Sequence, residues 1–129
     1  MPFDVLTPEG NPVSGMPYSQ VVVSGDLVFV CGQVPRDPLS PVYPAVVSDD
    51  FGAQTRQVFE NMRRCLTAAG LGFGDVVKVN CFIADWDDFA EFNELYAEYF
   101  TEPYPVRTTV QAGLHGFKVE VECTAATRG

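Results

Sequence analysis

The sequence predicts an α+β domain, a mixed β-sheet with two long helices packed on one face. Three observations predict it. Two β-rich runs flank Gly25-Asp26, two later stretches carry apolar residues at helical spacing, and two others alternate strictly between apolar and polar residues. Taken along the chain these give the order β-β-α-β-α-β-β.

Gln20 to Ser24 and Leu27 to Cys31 form the first pair, because glycine and aspartate tolerate the positive φ that a two-residue hairpin needs. Pro35, Pro38, Pro41 and Pro44 then exclude a regular ladder or a helix interior and predict an ordered surface loop. From Phe51, the residues Val58, Phe59, Met62, Cys65, Leu66 and Ala69 recur as on one buried helix face, with Asp49 or Asp50 to cap the start and Gly70 to end it. Val77, Val79, Cys81 and Ile83 alternate with Lys78, Asn80 and Phe82, which predicts a strand with one face on the core. A second helix is expected after Asp85 or Asp87, with Phe89, Phe92, Leu95, Tyr96, Tyr99 and Phe100 as its stripe, before Pro103 and Pro105 stop it. Arg107 to Gln111 and Phe117 to Ala125 complete the sheet. Helices covering one sheet face leave the other to be buried against something else, which points to another subunit.

No linker-like stretch or internal repeat divides the chain, so residues 1–129 are expected to form a single domain. A composition of 47% hydrophobic, 12% aromatic and 19% charged residues is that of a globular protein rather than a disordered one. The start of the chain lacks a basic segment followed by an apolar run, and no stretch has the length and apolarity of a membrane span, so a cytoplasmic protein is expected. Seventeen acidic against eight basic residues, a net charge of −9, argue against a nucleic-acid partner, and the Arg63-Arg64 pair reads as a solvated helix face. An anionic substrate would therefore need a local positive group in its pocket.

Several chemistries can be set aside. Cys31, Cys65, Cys81 and Cys123 lack ligand spacing and sit in apolar stretches, which suits reduced, mostly buried thiols; the lone His115 beside glycines suits a turn. No metal site is expected. Gly70-Leu71-Gly72-Phe73-Gly74 follows a helix and precedes a strand, the reverse of a phosphate-binding loop. What remains is a strand-borne pair, Arg107 after Tyr104-Pro105-Val106 and Glu120 within the last strand. Periodicity alone favours a duller reading of both, as solvent-facing polar residues of a sheet.

The ordered motifs Met16-Pro17-Tyr18-Ser19-Gln20, Val30-Cys31-Gly32-Gln33-Val34-Pro35, Gln54 to Asn61 with Ala68-Ala69-Gly70, Asp75 to Lys78, Phe89 to Phe100, Tyr104 to Val110 and Val119-Glu120-Val121-Glu122 resemble the RidA/YjgF family. The resemblance runs from about Pro17 to the end of the last strand. It implies a chorismate-mutase-like fold, a homotrimer with active sites in the clefts between subunits, and hydrolysis of reactive imines and enamines to ketones and ammonia without cofactor or metal. It also implies that Arg107 holds the substrate carboxylate, that Glu120 positions or activates water, and that Tyr18, Gly32, Phe89 and Asn93 line the cleft. Two departures alter its walls. Thr109 stands where cysteine is common in the family, and Cys31 where serine or threonine is usual; the connection 113–117 is also shorter and lacks the usual turn. These changes leave two further readings: a non-catalytic carboxylate binder or regulator of the same fold, or a deaminase of a larger enamine of the aminoacrylate or aminomuconate type. Ribonuclease activity, attributed to some relatives, fits the acidic balance least.

Overall fold

A computed structural model describes residues 2–11 and 15–127. Six strands form one sheet: β1 (Asp4–Leu6), β2 (Val21–Ser24), β3 (Leu27–Gln33), β4 (Val76–Ile83), β5 (Val106–Gln111) and β6 (Val119–Ala126). The spatial order is β1-β2-β3-β6-β4-β5, antiparallel throughout except for the parallel pair β4–β5. Two helices, α1 (Phe51–Ala68) and α2 (Phe89–Tyr96), pack on one side of it. The α+β class and the layered arrangement follow the pattern of the sequence. No helix among the described residues is long and apolar enough to cross a membrane.

Two details differ from the sequence reading. Strand β1 is additional, pairing Asp4 with Val23 and Leu6 with Val21; its three residues are too few to show a period. The second helix is short rather than long. Its stripe was expected to reach Phe100, but the α-helix ends at Tyr96, and tighter bonds run from Glu98 N to Leu95 O and from Tyr99 N to Tyr96 O. That turn lets two consecutive aromatics point inward: Tyr99 stacks on Phe59 at 4.7 Å and Phe100 on Tyr96 at 4.5 Å.

Helix α1 follows its sequence signals closely. The Asp50 carboxylate accepts a hydrogen bond from Ala53 N at 2.9 Å, satisfying an orphan donor of the first turn. At the other end Gly70 adopts φ +73°, and Leu71 N reaches Leu66 O while Gly70 N reaches Thr67 O, the paired bonds of a Schellman ending. Val58, Phe59, Met62 and Leu66 are fully buried against Val21, Val28, Val79, Ile83, Val119 and Val121 of the sheet.

The proline-rich segment between β3 and α1 is an ordered loop. Asp37 N bonds to Ala45 O and Val47 N to Pro35 O, and the amide of buried Asn61 on α1 donates to Val34 O and Arg36 O at 3.0 and 2.9 Å. Cys65, Cys81 and Cys123 are buried free thiols, and Cys31 is half-buried. Of the Arg63-Arg64 pair, Arg63 is solvated beside Glu60, whereas Arg64 donates to Glu9 O and Asn11 Oδ1 and ties the N-terminal segment to α1.

Candidate functional site

The alternation of the strands decides where each candidate side chain points. On β4, Val79, Cys81 and Ile83 face the helices, and across the parallel pair Val79 is in register with Arg107 and Cys81 with Thr109. Arg107 and Thr109 therefore lie on the helix side of the sheet. Phe82 points the other way and is in register with Glu120, so Glu120 lies on the outer face. Arg107 and Glu120 occupy opposite faces of one sheet, with β4 between their strands. A single chain does not bring them together.

Around Arg107 the helix side supplies an aromatic bed. Its guanidinium lies 4.7 Å from the ring centre of Tyr96, 5.8 Å from Phe92 and 5.9 Å from Phe89. Nη2 donates to Asn93 Oδ1 at 2.7 Å, one turn of α2 before Tyr96. No acidic side chain of the described residues pairs with it. The guanidinium opens on a cavity walled by Asn93, Tyr96, Ala97, Tyr104 and Pro105. The buried hydroxyls of Tyr96 and Thr109 find no hydrogen-bond partner among nitrogen and oxygen atoms of the described residues, and burial holds the Tyr96 phenol protonated well above its ordinary range. Thr109 faces the Cys81 thiol, which burial pushes up to about 12. This is a cationic, partly dehydrated corner with spare donors, the chemistry that receives a carboxylate.

The second group forms where β3 bulges. Regular pairing with β6 is interrupted between Val30 and Gln33, so Cys31 and Gly32 leave the ladder beside Glu120. A Cβ at Gly32 would overlap the Glu120 carboxylate and meet its Cδ at 3.0 Å, so a side chain here would push the carboxylate from this place. Burial, with the neighbouring Glu122 carboxylate adding to it, raises the Glu120 carboxyl above the usual range. Glu122 itself accepts from Asn80 Nδ2 at 3.0 Å. Burial and Glu120 together push the Cys31 thiol up to about 11, so it stays neutral near pH 7 and is no nucleophile. Beside Gly32 a second cavity is lined by Tyr18, Cys31, Arg36, Tyr43 and Asn61. The phenol of Tyr43 is raised by burial, by Tyr18 and by Glu120, which sets all three within electrostatic reach.

Every site residue expected from the sequence thus falls into one of two groups: Phe89, Asn93, Arg107 and Thr109 on the helix side, and Tyr18, Cys31, Gly32 and Glu120 about the bulge. Arg36 and Tyr43 were not anticipated. They lie in the proline-rich loop, and an arginine directly after Gln33-Val34-Pro35 was the one available signal for them.

The sequence model of the family described as Endoribonuclease L-PSP matches residues 9–127. The chain belongs to the RidA/YjgF family. Within that family it is 37% identical to the 2-iminobutanoate/2-iminopropanoate deaminase of Salmonella typhimurium over 128 residues, 95% of this chain and 97% of that protein. It is 39% identical to the 3-aminoacrylate deaminase RutC of Acinetobacter baylyi over 114 residues, 88% of each. Among solved structures, E. coli TdcF with bound serine superposes with a TM-score of 0.82 at 35% identity, covering 97% of this chain and 99% of that one. The six-stranded sheet with two helices is thus the RidA/YjgF fold, and the word endoribonuclease is a family label.

Proposed function

We propose that this RidA/YjgF protein hydrolyses 2-imino acids and their enamine tautomers to 2-oxo acids and ammonia, at a site completed between subunits of a homotrimer. The observation that carries the reading is Arg107: a guanidinium set over Tyr96, steadied by Asn93, without a carboxylate of its own and open to a cavity. The deaminase names of two well-covered relatives support the reaction class.

In this reading Arg107 holds the substrate carboxylate through two parallel hydrogen bonds and so fixes the adjacent C=N carbon. Water adds to that carbon, its proton passing to Glu120, and the resulting carbinolamine collapses with release of ammonia as a proton returns to nitrogen. A carboxyl raised by burial and by Glu122 takes up and holds a proton more readily than an ordinary carboxylate, which suits it to pass one on. Because Arg107 and Glu120 occupy opposite faces of one sheet, the two meet only if one chain supplies the anchor and its neighbour the water-handling wall. The outer face favours such assembly: Phe29, Val106 and Val110 stand exposed on it, at 42%, 67% and 41%.

The test is the hydrolysis rate of 2-iminobutanoate and 2-iminopropanoate, generated in situ from the amino acids, with wild-type protein and Arg107→Ala. Loss of an aligned charged anchor is expected to lower kcat/KM by about a hundredfold or more. A variant with wild-type turnover would remove the anchor role, and a wild type without any acceleration would remove the deaminase reading in favour of a non-catalytic carboxylate binder.

A further inference from the structure

Arg36 repeats the features that single out Arg107. Its guanidinium lies over an aromatic ring, 5.2 Å from the centre of Tyr43, and no carboxylate of the described residues pairs with it. Among the described residues only its Nη2 group is used, donating to Ser40 O at 2.7 Å, while Nε is buried without a partner there. A buried arginine donor left unsatisfied is costly, and a charged one more so. The backbone that carries the side chain is fixed by two contacts. Asn61 of α1 fixes the Arg36 carbonyl, and the loop closes on itself through the Arg36–Val46 bridge.

Position adds a second argument. Arg36 lines the cavity that also holds Tyr18, Gly32 and Tyr43, beside the Glu120 carboxylate. Arg36 is not the counter-ion of Glu120: no ion pair joins the two among the described residues. In a chain of net charge −9, a guanidinium kept free of carboxylates inside a cavity beside the water-handling group has a ligand to receive.

We propose that Arg36 receives a second anionic group on the substrate, so that the preferred substrates are imines or enamines of dicarboxylic amino acids. This rests on the deaminase reading above. With Arg107 on one wall of the intersubunit cleft and Arg36 on the other, a substrate carrying a carboxylate at each end spans the two, its C=N carbon between them and beside Glu120. For 2-iminosuccinate the balanced reaction is addition of one water to the C=N carbon, followed by cleavage of the C–N bond, giving oxaloacetate and ammonia.

The experiment compares kcat/KM for 2-iminosuccinate, generated in situ from aspartate by an oxidase, with that for 2-iminobutanoate, in wild type, Arg36→Met and Arg36→Lys. The ratio of dicarboxylate to monocarboxylate activity is expected to fall tenfold or more in Arg36→Met and to be partly restored in Arg36→Lys. In wild type alone, succinate is expected to inhibit 2-iminobutanoate hydrolysis at least tenfold more tightly than butyrate does, a readout that holds even if a variant misfolds. Hydrolysis of 2-iminobutanoate with an unchanged ratio in the variants, or equal inhibition by the two acids, would overturn the role of Arg36 while leaving the deaminase reading intact. Failure of wild type to hydrolyse either imine would overturn both.

Discussion

At Gly32 the bulged strand and the Glu120 carboxylate are in van der Waals contact, and a methyl group there would have to displace the carboxyl group from its place. Gly32→Ala is therefore expected to swing the Glu120 carboxylate aside, lowering turnover while changing stability little, checked by imine hydrolysis and denaturant unfolding on the same preparation. Glu120 makes the opposite case. Its folded-state carboxyl is raised, so the native state holds the proton more tightly than the unfolded chain does. Stability from this group is present at low pH and is lost as pH rises from the ordinary carboxylate range through the raised value. Glu120→Gln should consequently be inactive yet melt higher than wild type at pH 7 to 8, with the difference closing toward pH 4; equal melting temperatures at both pH values would contradict the origin assigned to the shift. From periodicity alone, position 107 was legible only as one of two strand-borne candidates, and its role as anchor came from the resemblance, because an alternating strand says which residues share a face but not whether that face meets solvent, a helix or another chain.

Helix α1 was readable almost to the residue, since its stripe, its Asp50 cap and its Gly70 ending are local chemistry. Helix α2 was overestimated because Tyr99 and Phe100 satisfy the helical stripe equally well from a tighter turn. The loop between β3 and α1 showed its prolines but not its anchor, as Asn61 on α1 bonds to carbonyls 27 and 25 residues away. Such a contact leaves no trace in local spacing. Asn61→Leu should leave the Arg36 carbonyl unpaired, take from the Val34 carbonyl one of its two donors and destabilise the protein by roughly 1–3 kcal/mol, read by urea unfolding, with faster amide exchange at Arg36 and Asp37 than elsewhere. Uniform exchange across the chain would mean that the loop does not depend on this anchor.

For the whole molecule, family membership came from seven ordered motifs, while the separation of the pair came from strand register. No motif carries that second fact: Arg107 is in register with Val79 and Glu120 with Phe82, on opposite faces of the sheet. The proposal of a site shared between chains rests on that opposition, and mixing two inactive variants tests it most directly. Arg107→Ala and Glu120→Gln would be co-expressed or reassembled at equal amounts, and 2-iminobutanoate hydrolysis measured against wild type. If each site draws Arg107 from one chain and Glu120 from another, random mixed trimers regain about a quarter of wild-type activity, because that share of sites combines two intact residues. Mixed trimers shown by mass spectrometry to form, yet no more active than either parent, would contradict a shared site.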